Sequence, residues 1–268
     1  MKPDNLNLSL LRDRLSGLPV TDIRYFDVTG STNNDAMAWI SQGAPDGSLI
    51  VADEQTAGRG RMQRKWVTRK GAALAFSLIF HPQNYTNLPL YAPLGALGVA
   101  MAIEDLYSAQ PQIKWPNDVL LNRKKVCGIL TEASWQENRL EGIVLGIGIN
   151  IASSAVRAED EFIFPASSLQ SSFEKSVNRL DLLEEVIRLI FTWREILSTP
   201  DFIQAWNQRL AFRGEEVHIN SVGQENLTGT ILKISQDGLL WIRQKDGKDV
   251  SISAGDVSLR IINPKPGE

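Results

Sequence analysis

The sequence has only one cysteine, Cys127, and no long uninterrupted apolar run. A single cysteine cannot form a disulfide within the chain, which favours a reducing compartment. The longest apolar run, from Leu88 to Ile103, contains two prolines and is shorter than the roughly 20 residues that a membrane helix requires. The N-terminal segment lacks the apolar core of a signal peptide. We therefore expect a cytoplasmic protein with no membrane partner.

The sequence also lacks a basic overall balance. Its formal net charge is −3 and its pI is about 5.6. Proteins that bind nucleic acid generally carry an excess of positive charge. Any basic cluster in this chain is therefore a local feature. The chain itself, with 268 residues, is long enough to bury a core without disulfide support.

The predicted elements divide the chain into two parts. Residues 1–212 contain strand and helix patterns without strict alternation, so we expect an α+β domain with a mixed, mainly antiparallel sheet rather than a Rossmann sheet. Residues 213–268 contain short strand patterns and two Asp-Gly pairs, at Asp237-Gly238 and Asp246-Gly247, which are typical of hairpin turns. This second part is predicted to be a small all-β domain.

The segment "AGRGRMQRKWVTRK", residues Ala57–Lys70, holds six basic side chains and no acidic one. Its glycines would let the backbone approach an anion, and its arginines offer forked donors for carboxylate or phosphate. No Asp or Glu occurs from Gln55 to Ile103, so an external anion is the simplest partner. The alternatives are a solvated loop and a nucleic-acid contact with Trp66 as a stacking residue.

A second cluster is Lys114-Trp115-Pro116-Asn117-Asp118, followed by Lys124 and Lys125. Proline, asparagine and aspartate are turn residues, so a hairpin corner with solvated lysines is one interpretation. The other is an anion site in which Asp118 holds Mg²⁺ and Lys125 faces the same anion as Arg61. We expect Trp115 to be packed in the core rather than stacked on a ligand.

A third cluster, Ser31-Thr32-Asn33-Asn34, stands at a predicted helix start. Ser31 is a natural N-cap, and such strings often do no more than cap a helix. Polar groups at a helix start can also bind a small neutral head group.

Together and in this order, the clusters resemble biotin protein ligases. The matching pieces are "STN" (Ser31–Asn33), "EQTAGRGR" (Glu54–Arg61), "KW" (Lys65–Trp66), "KWPNDV" (Lys114–Val119), "KVCGILTE" (Lys125–Glu132), "GIGIN" (Gly146–Asn150) and "GDVSLR" (Gly255–Arg260). The resemblance implies a catalytic domain of the fold shared with lipoate ligases and class II aminoacyl-tRNA synthetases, followed by a C-terminal SH3-like β-barrel.

The resemblance also implies a two-step reaction. Biotin and ATP form biotinyl-5′-AMP, with Mg²⁺ as cofactor, and the biotinyl group then passes to a lysine of a biotin carboxyl carrier domain of acetyl-CoA carboxylase or a related enzyme. Only about 30 residues precede Ser31, too few for the DNA-binding domain that some members carry. We therefore expect a ligase without DNA binding, as a monomer or weak homodimer.

The resemblance implies four kinds of role for residues of this sequence. Arg61 and Lys125 would be catalytic, and Asp118 would hold the metal ion. The biotin-binding residues would be Ser31, Thr32, Asn33, Gln55, Gly58, Arg59, Gly60, Arg61, Lys125, Gly128 and Leu130. The residues binding ATP and the adenylate would be Arg59, Arg61, Arg64, Trp66, Lys114, Asn117, Lys125, Asn150 and Arg260.

The chain departs from the family pattern at two further points. Met62 and Gln63 stand where the basic loop commonly has another glycine, which restricts the backbone. The adenine-stacking tryptophan of some members has no clear counterpart around "FIFPASSLQ", where Phe164 is a candidate.

Two rival functions stay open at this stage. Lipoate or octanoate ligases and transferases share the fold, but their Arg-Arg, triple-glycine and His-Asp signature is absent from this sequence. A non-catalytic nucleic-acid-binding protein would use the basic loop and would bind with a steep dependence on salt.

Overall fold

The structure is a computed structural model, and it describes residues 6–66, 68–83, 85–156, 164–221, 227–253 and 257–261. Its larger part is built from a seven-stranded sheet with helices on both faces. The elements are α1 (Leu8–Leu15), β1 (Ile23–Thr29), α2 (Thr32–Ile40), β2 (Leu49–Gln55), β3 (Ala73–Phe80), α3 (Tyr91–Tyr107), β4 (Gln112–Lys114), β5 (Asp118–Leu121), β6 (Lys124–Gln136), β7 (Arg139–Asn150), α4 (Leu169–Phe173), α5 (Arg179–Arg194) and α6 (Pro200–Gln208).

The strand order is β1-β2-β3-β7-β6-β5-β4. Only β1 and β2 pair in parallel, and the other neighbours pair antiparallel. The mixed, mainly antiparallel sheet expected from the sequence is therefore confirmed.

The second sheet has five antiparallel strands: β8 (Glu216–Ser221), β9 (Leu227–Ile234), β10 (Leu240–Arg243), β11 (Asp249–Ile252) and β12 (Val257–Ile261). Their order is β11-β10-β9-β8-β12. The two predicted Asp-Gly turns join β9 to β10 and β10 to β11, where Gly238 and Gly247 have φ of 80° and 85°. Within the described residues no pairing joins β11 to β12, so the expected barrel is an open antiparallel sheet there.

The two faces of the large sheet are separated by the alternation of side chains along each strand. In β3, Leu74, Phe76, Leu78 and Phe80 belong to the main core, which includes α3 and α5. Ile79 belongs instead to a smaller core beneath α2. Ser77 lies on this α2 face, and the candidate site described below is built there.

Helix α3 is the core helix predicted from the apolar run. Its residue Gly98 lies so close to Ile190 of α5 that a side chain at this position would overlap that isoleucine. Among the described residues, Tyr85–Tyr107 is the one helical segment long and apolar enough to cross a membrane, but 67% of its apolar window is buried inside the protein. Such burial is typical of the core helix of a soluble protein.

The two sheets are connected by specific contacts. Trp115 is 2% exposed, and its Nε1 donates to the carbonyl of Gly238 at 3.1 Å. Arg123 forms a two-pronged ion pair with Glu215, at 2.9 and 2.7 Å. The prediction that Trp115 packs rather than stacks on a ligand is confirmed.

A buried ion pair joins α5 to the sheet. Asp53 on β2 is 7% exposed and Arg179 at the start of α5 is 2% exposed, with Nη1 to Oδ1 at 2.5 Å. The same carboxylate accepts a hydrogen bond from the backbone of Gly71, at the end of the basic segment. Removing one partner would leave a buried charge without compensation.

The variant Arg179→Met should therefore lower the free energy of unfolding by about 3–5 kcal/mol. Urea denaturation measures this change. The matched control is Arg188→Met on the same helix, because Arg188 is 46% exposed and its ion pairs lie at the surface, where they contribute about 1 kcal/mol or less. Equal losses in the two variants would contradict the role assigned to the buried pair.

Candidate functional site

The floor of the site is formed by glycines on two paired strands. Register places Gly128 of β6 opposite Gly148 of β7, and Leu130 opposite Gly146. The isoleucines between these positions, Ile129, Ile147 and Ile149, point to the opposite face and are buried in the main core. The "GIGIN" motif is thus a strand with a flat face towards the site and an apolar face towards the core.

Polar groups lie at one end of this floor. Thr32 donates from its backbone nitrogen and its hydroxyl to Gln55 Oε1, at 2.8 and 3.1 Å. Asn33 Nδ2 donates to the carbonyl of Leu130 at 3.2 Å, and its Oδ1 accepts from Ser77 at 2.7 Å. This end of the site offers uncharged donors and acceptors at the start of α2.

Ser31 occupies the N-cap position of α2 and is 3% exposed, but its side chain makes no capping hydrogen bond. Only its carbonyl participates, accepting from Asp35 N at 3.1 Å. The capping interpretation therefore holds for the backbone and not for the hydroxyl.

The basic loop begins as a small hairpin. Trp66 N donates to the carbonyl of Gly58 at 2.9 Å, and Gly60 N donates to the carbonyl of Arg64 at 2.7 Å. A side chain on Gly58 would come within 2.5 Å of the Trp66 carbonyl oxygen, so the close pairing requires glycine there. At the tip Met62 has φ 55° and ψ 40°, a left-handed conformation that is uncommon for a residue with a Cβ.

The arginines of this loop have different partners. Arg59 donates to Asn34 Oδ1 at 2.6 Å and to Glu132 Oε2 at 3.0 Å. Arg61 Nη1 lies 3.4 Å from Asn117 Oδ1, which places it at the corner of the second cluster. Arg64 is exposed, and its Nη2 lies 3.9 Å from Met62 Sδ.

The ring of Trp66 lies against the glycine floor. A Cβ built on Gly148 would overlap its ring, and one on Gly128 would lie 3.1 Å from it. The ammonium of Lys125 is 5.5 Å from the ring centroid. The indole Nε1 is buried, and no residue that the structure describes forms a hydrogen bond with it.

A carboxylate between two lysines forms the charged end of the site. Lys125 Nζ lies 2.5 Å from Asp118 Oδ1, and Lys114 Nζ lies 3.6 Å from Asp118 Oδ2. Burial alone would raise the pKa of the Asp118 carboxyl, but Lys125 and Lys114 outweigh it and hold this pKa below its ordinary value of 3.8. Asp118 therefore stays ionised at neutral pH and keeps both ammonium groups in place.

A metal centre and a reactive cysteine have little support in the described residues. No group of three or more His, Cys, Asp or Glu is placed there to hold a metal ion. Cys127 is fully buried, and burial raises the pKa of its thiol, so the reactive thiolate is disfavoured.

Three further residues that the sequence suggested for the nucleotide are Asn150, Phe164 and Arg260. Asn150 at the end of β7 uses its amide to bind the carbonyl of Ser167 at 3.1 Å. The ring of Phe164 lies 4.6 Å from the ammonium of Lys114 and also contacts Phe212. Arg260 lies on β12, and its side chain is outside the described part of the structure.

The structure adds three residues that sequence analysis did not select: Thr68, Ser77 and Glu132. Ser77 is the one polar residue in the strand "ALAFSLIF", and Glu132 ends the "KVCGILTE" motif. Both positions carried a signal in the sequence. Their partners depend on strand register, which the sequence did not reveal.

Comparisons with known proteins identify relatives of both parts of the chain. A model of the biotin/lipoate A/B protein ligase family matches residues 25–150, and a model of the biotin protein ligase C-terminal domain matches residues 212–260. The biotin--[acetyl-CoA-carboxylase] ligase of Mycobacterium tuberculosis is 32% identical over 260 residues, which cover 92% of this chain and 93% of that relative.

Two further similarities extend the comparison. The bifunctional ligase/repressor BirA of Bacillus subtilis is 38% identical over 164 residues, which cover 61% of this chain and 50% of that relative. The match to this relative therefore spans half of its length. The biotin protein ligase of Aquifex aeolicus, solved with biotin and ATP, has a TM-score of 0.76 at 28% identity and covers 90% of this chain and 99% of that chain.

The contact between Gly146 and Asn33 gives a test of the geometry. A Cβ on Gly146 would overlap Asn33 Oδ1, so Gly146→Ala should displace this amide from Ser77 and Leu130. We expect a loss of about 1–2 kcal/mol in the free energy of unfolding, the size of one or two hydrogen bonds, measured by urea denaturation. Gly17→Ala is the control, because no atom lies within 4 Å of its new Cβ. The same stability in both variants would contradict the close contact.

Proposed function

This chain belongs to the biotin protein ligase family, and we propose that it is an ATP-dependent enzyme that attaches biotin to a lysine of an acceptor protein. Sequence similarity over almost the whole length of the Mycobacterium ligase and the structural match to the Aquifex enzyme support the assignment. The Aquifex structure contains biotin and ATP. The proposal transfers these two substrates to this chain.

One observation carries the proposal: uncharged polar groups and ammonium groups lie on the same sheet face, on neighbouring rows of paired residues. Asn33, Thr32 and Gln55 lie near the pair formed by Leu130 and Gly146. Lys125 and Asp118 lie beside the pair formed by Gly128 and Gly148. Biotin has a neutral ureido ring at one end and a carboxylate at the other. Its two ends match the two ends of the site.

In the first step, a carboxylate oxygen of biotin attacks the α-phosphorus of ATP, a new P–O bond forms, and pyrophosphate leaves. Two anions must approach each other, and Lys125, Lys114 and Arg61 offset their repulsion. In the second step, the amine of the acceptor lysine attacks the biotinyl carbonyl carbon, and AMP leaves. The substrates supply both nucleophiles, which is consistent with a buried and unreactive Cys127.

The residue roles follow the same division. We assign the biotin head group to Ser31, Thr32, Asn33 and Gln55, with Gly128 and Leu130 along its path. The loop residues Gly58, Arg59, Gly60 and Arg61 close over biotin and the adenylate. We assign nucleotide binding to the remaining residues, which are Arg64, Trp66, Lys114, Asn117, Lys125, Asn150 and Arg260.

The ring of Trp66 covers the space above Gly128 and Gly148. We infer that the ring leaves this floor when a ligand enters and then packs over the closed loop. Its apolar surface would exclude water from the adenylate, which protects a reactive acyl phosphate from hydrolysis.

Mg²⁺ fits this site only as a companion of ATP. Asp118 is a single carboxylate already paired with two lysines, and Mg²⁺ in nucleotide sites commonly uses one or two carboxylates together with phosphate oxygens. In the proposal Asp118 would supply one oxygen ligand to the ion, which would neutralise charge on the phosphates.

The proposed acceptor is the biotin carboxyl carrier domain of acetyl-CoA carboxylase or a related biotin-dependent enzyme. The name of the Mycobacterium relative supports this partner. We propose a cytoplasmic protein that is a monomer or weak homodimer and has no DNA partner. The two domains are proposed to divide near residue 212.

Mass spectrometry of a purified carrier domain tests the function. Incubation with the protein, ATP and biotin should add one biotinyl group to one lysine, and omission of ATP should abolish the addition. A parallel reaction receives lipoate in place of biotin. Modification with lipoate alone would replace the proposal by a lipoate ligase, and no modification with either acid would refute both.

Lys125→Met tests the charged end of the site. The variant removes the ammonium nearest to Asp118, so kcat/KM for biotin-dependent pyrophosphate exchange should fall by about 100-fold or more, the usual size of a lost electrostatic contact to a transition state. The control is Lys124→Met, the exposed preceding lysine, which should keep its activity. Unchanged exchange in Lys125→Met would refute the role.

Arg61→Gln tests the retention of the adenylate. Loss of this cation from the loop should let biotinyl-AMP leave the site, so that bystander proteins become biotinylated. Blotting of a reaction that contains bovine serum albumin measures this release, with the exposed Lys70→Gln as control. Labelling that stays confined to the carrier domain would contradict the assignment.

A further inference from the structure

A continuous series of side-chain hydrogen bonds leaves the basic loop, crosses the head-group end of the site and returns to the loop. Each neighbouring pair in the series lies within 3.2 Å. Its members, in order, are Thr68, Gln55, Thr32, Ser77, Asn33, Glu132 and Arg59. Thr68 and Arg59 both belong to the segment Ala57–Lys70. The loop is therefore fastened at two points to the groups proposed to bind the ureido ring.

Glu132 connects Asn33 of this series to Arg59 of the basic loop. Its Oε2 accepts from Asn33 Nδ2 at 2.7 Å and from Arg59 Nη2 at 3.0 Å. Glu132 lies opposite Val144 on β7, two residue pairs beyond Leu130 and Gly146 and therefore on the same face of the sheet. It thus stands next to the head-group end and away from Asp118, Lys114 and Lys125.

The carboxylate also fixes the orientation of Asn33. Because Nδ2 donates to Glu132 and to the carbonyl of Leu130, Oδ1 is left to accept from Ser77. A flipped amide would place its oxygen against both the carboxylate and the carbonyl. Glu132 and the Leu130 carbonyl therefore together determine which atom of Asn33 faces the rest of the series.

The bond to the loop is reversible. The side chains of Arg59 and Glu132 are 43% and 25% exposed, and ion pairs with this exposure are weak. The contact can hold the loop without preventing ligand exchange. By contrast, the bond to Asn33 joins a carboxylate to a residue that is 5% exposed.

We propose that Glu132 is a positioning residue that ties Arg59 of the loop to Asn33, so that occupation of the head-group end and closure of the loop favour each other. The proposal rests on the proposed function for the identity of the ligand. Glu132 touches no reacting atom and acts through Arg59 and Asn33. Because coupling between binding events is reciprocal, loss of Glu132 should weaken biotin binding and loop closure together.

Two substitutions separate the charge of Glu132 from its hydrogen bonds. Glu132→Gln keeps an oxygen that can accept from Asn33 and Arg59, but it removes the negative charge that attracts the guanidinium of Arg59. Glu132→Ala removes both contacts. Glu141→Gln is the matched control, because this carboxylate lies on the same β6–β7 hairpin and its polar partner is Ser134, outside the series.

The kinetic experiment is biotin-dependent pyrophosphate exchange with each variant and the wild-type protein. Glu132→Gln should raise the KM for biotin and the release rate of biotinyl-AMP by about fivefold, the effect of one exposed ion pair. Glu132→Ala should raise both by about 20-fold, because Asn33 Nδ2 also loses its carboxylate acceptor and keeps only the carbonyl of Leu130. The KM for ATP, kcat and the melting temperature should stay close to those of Glu141→Gln.

A second readout does not depend on the function. The segment Ala57–Lys70 contains six sites for trypsin, and without ligand Glu132→Gln should be cut within this segment several times faster than Glu141→Gln. Equal cleavage rates and an unchanged KM for biotin would overturn the role of Glu132. A fall in kcat and melting temperature at constant KM would also overturn it, since that pattern indicates a purely structural residue. Absence of exchange in the wild-type protein would instead refute the proposed function, while the cleavage comparison would still decide the case of Glu132.

Discussion

Alternation along the paired strands β6 and β7 sets the shape of the whole site. Glycine at positions 128, 146 and 148 keeps one face flat, while the intervening isoleucines anchor the other face in the core. Asn33 and Trp66 can reach the sheet only because these positions have no Cβ. The same pairing therefore stabilises the protein and makes room for a ligand, so a change at either face affects both properties.

The charges of the site are arranged around one buried carboxylate. Asp118 stays ionised because Lys125 and Lys114 lower its pKa below the ordinary value, and it holds both ammonium groups at the end of the glycine floor. A preorganised positive end is the main requirement for joining a carboxylate to a polyphosphate. The basic loop adds further arginines from the other side, with Arg61 beside Asn117.

Local sequence patterns predicted the mixed sheet, the core helix α3, the Asp-Gly turns and the packed Trp115. They also selected the three clusters that the fold brings together. They did not predict Ser77, Thr68 or Glu132, because the partners of these side chains are distant in sequence, on α2, on β2 and in the basic loop, and meet them only in the complete fold. Ser31 was predicted to cap α2, but its hydroxyl makes no such bond. Met62 adopts a left-handed backbone conformation, in which a glycine would be unstrained. The sequence showed only that a glycine common in the family is absent there.

A crystal structure of the protein with biotin and ATP tests the central claim most directly. The account predicts electron density for the ligand above Gly146 and Gly128, with the ureido ring at Thr32 and Gln55 and the carboxylate end at Lys125. It also predicts that Trp66 has left the position it occupies against Gly148. Ligand density elsewhere on the protein, with the Trp66 ring still on the glycine floor, would contradict it.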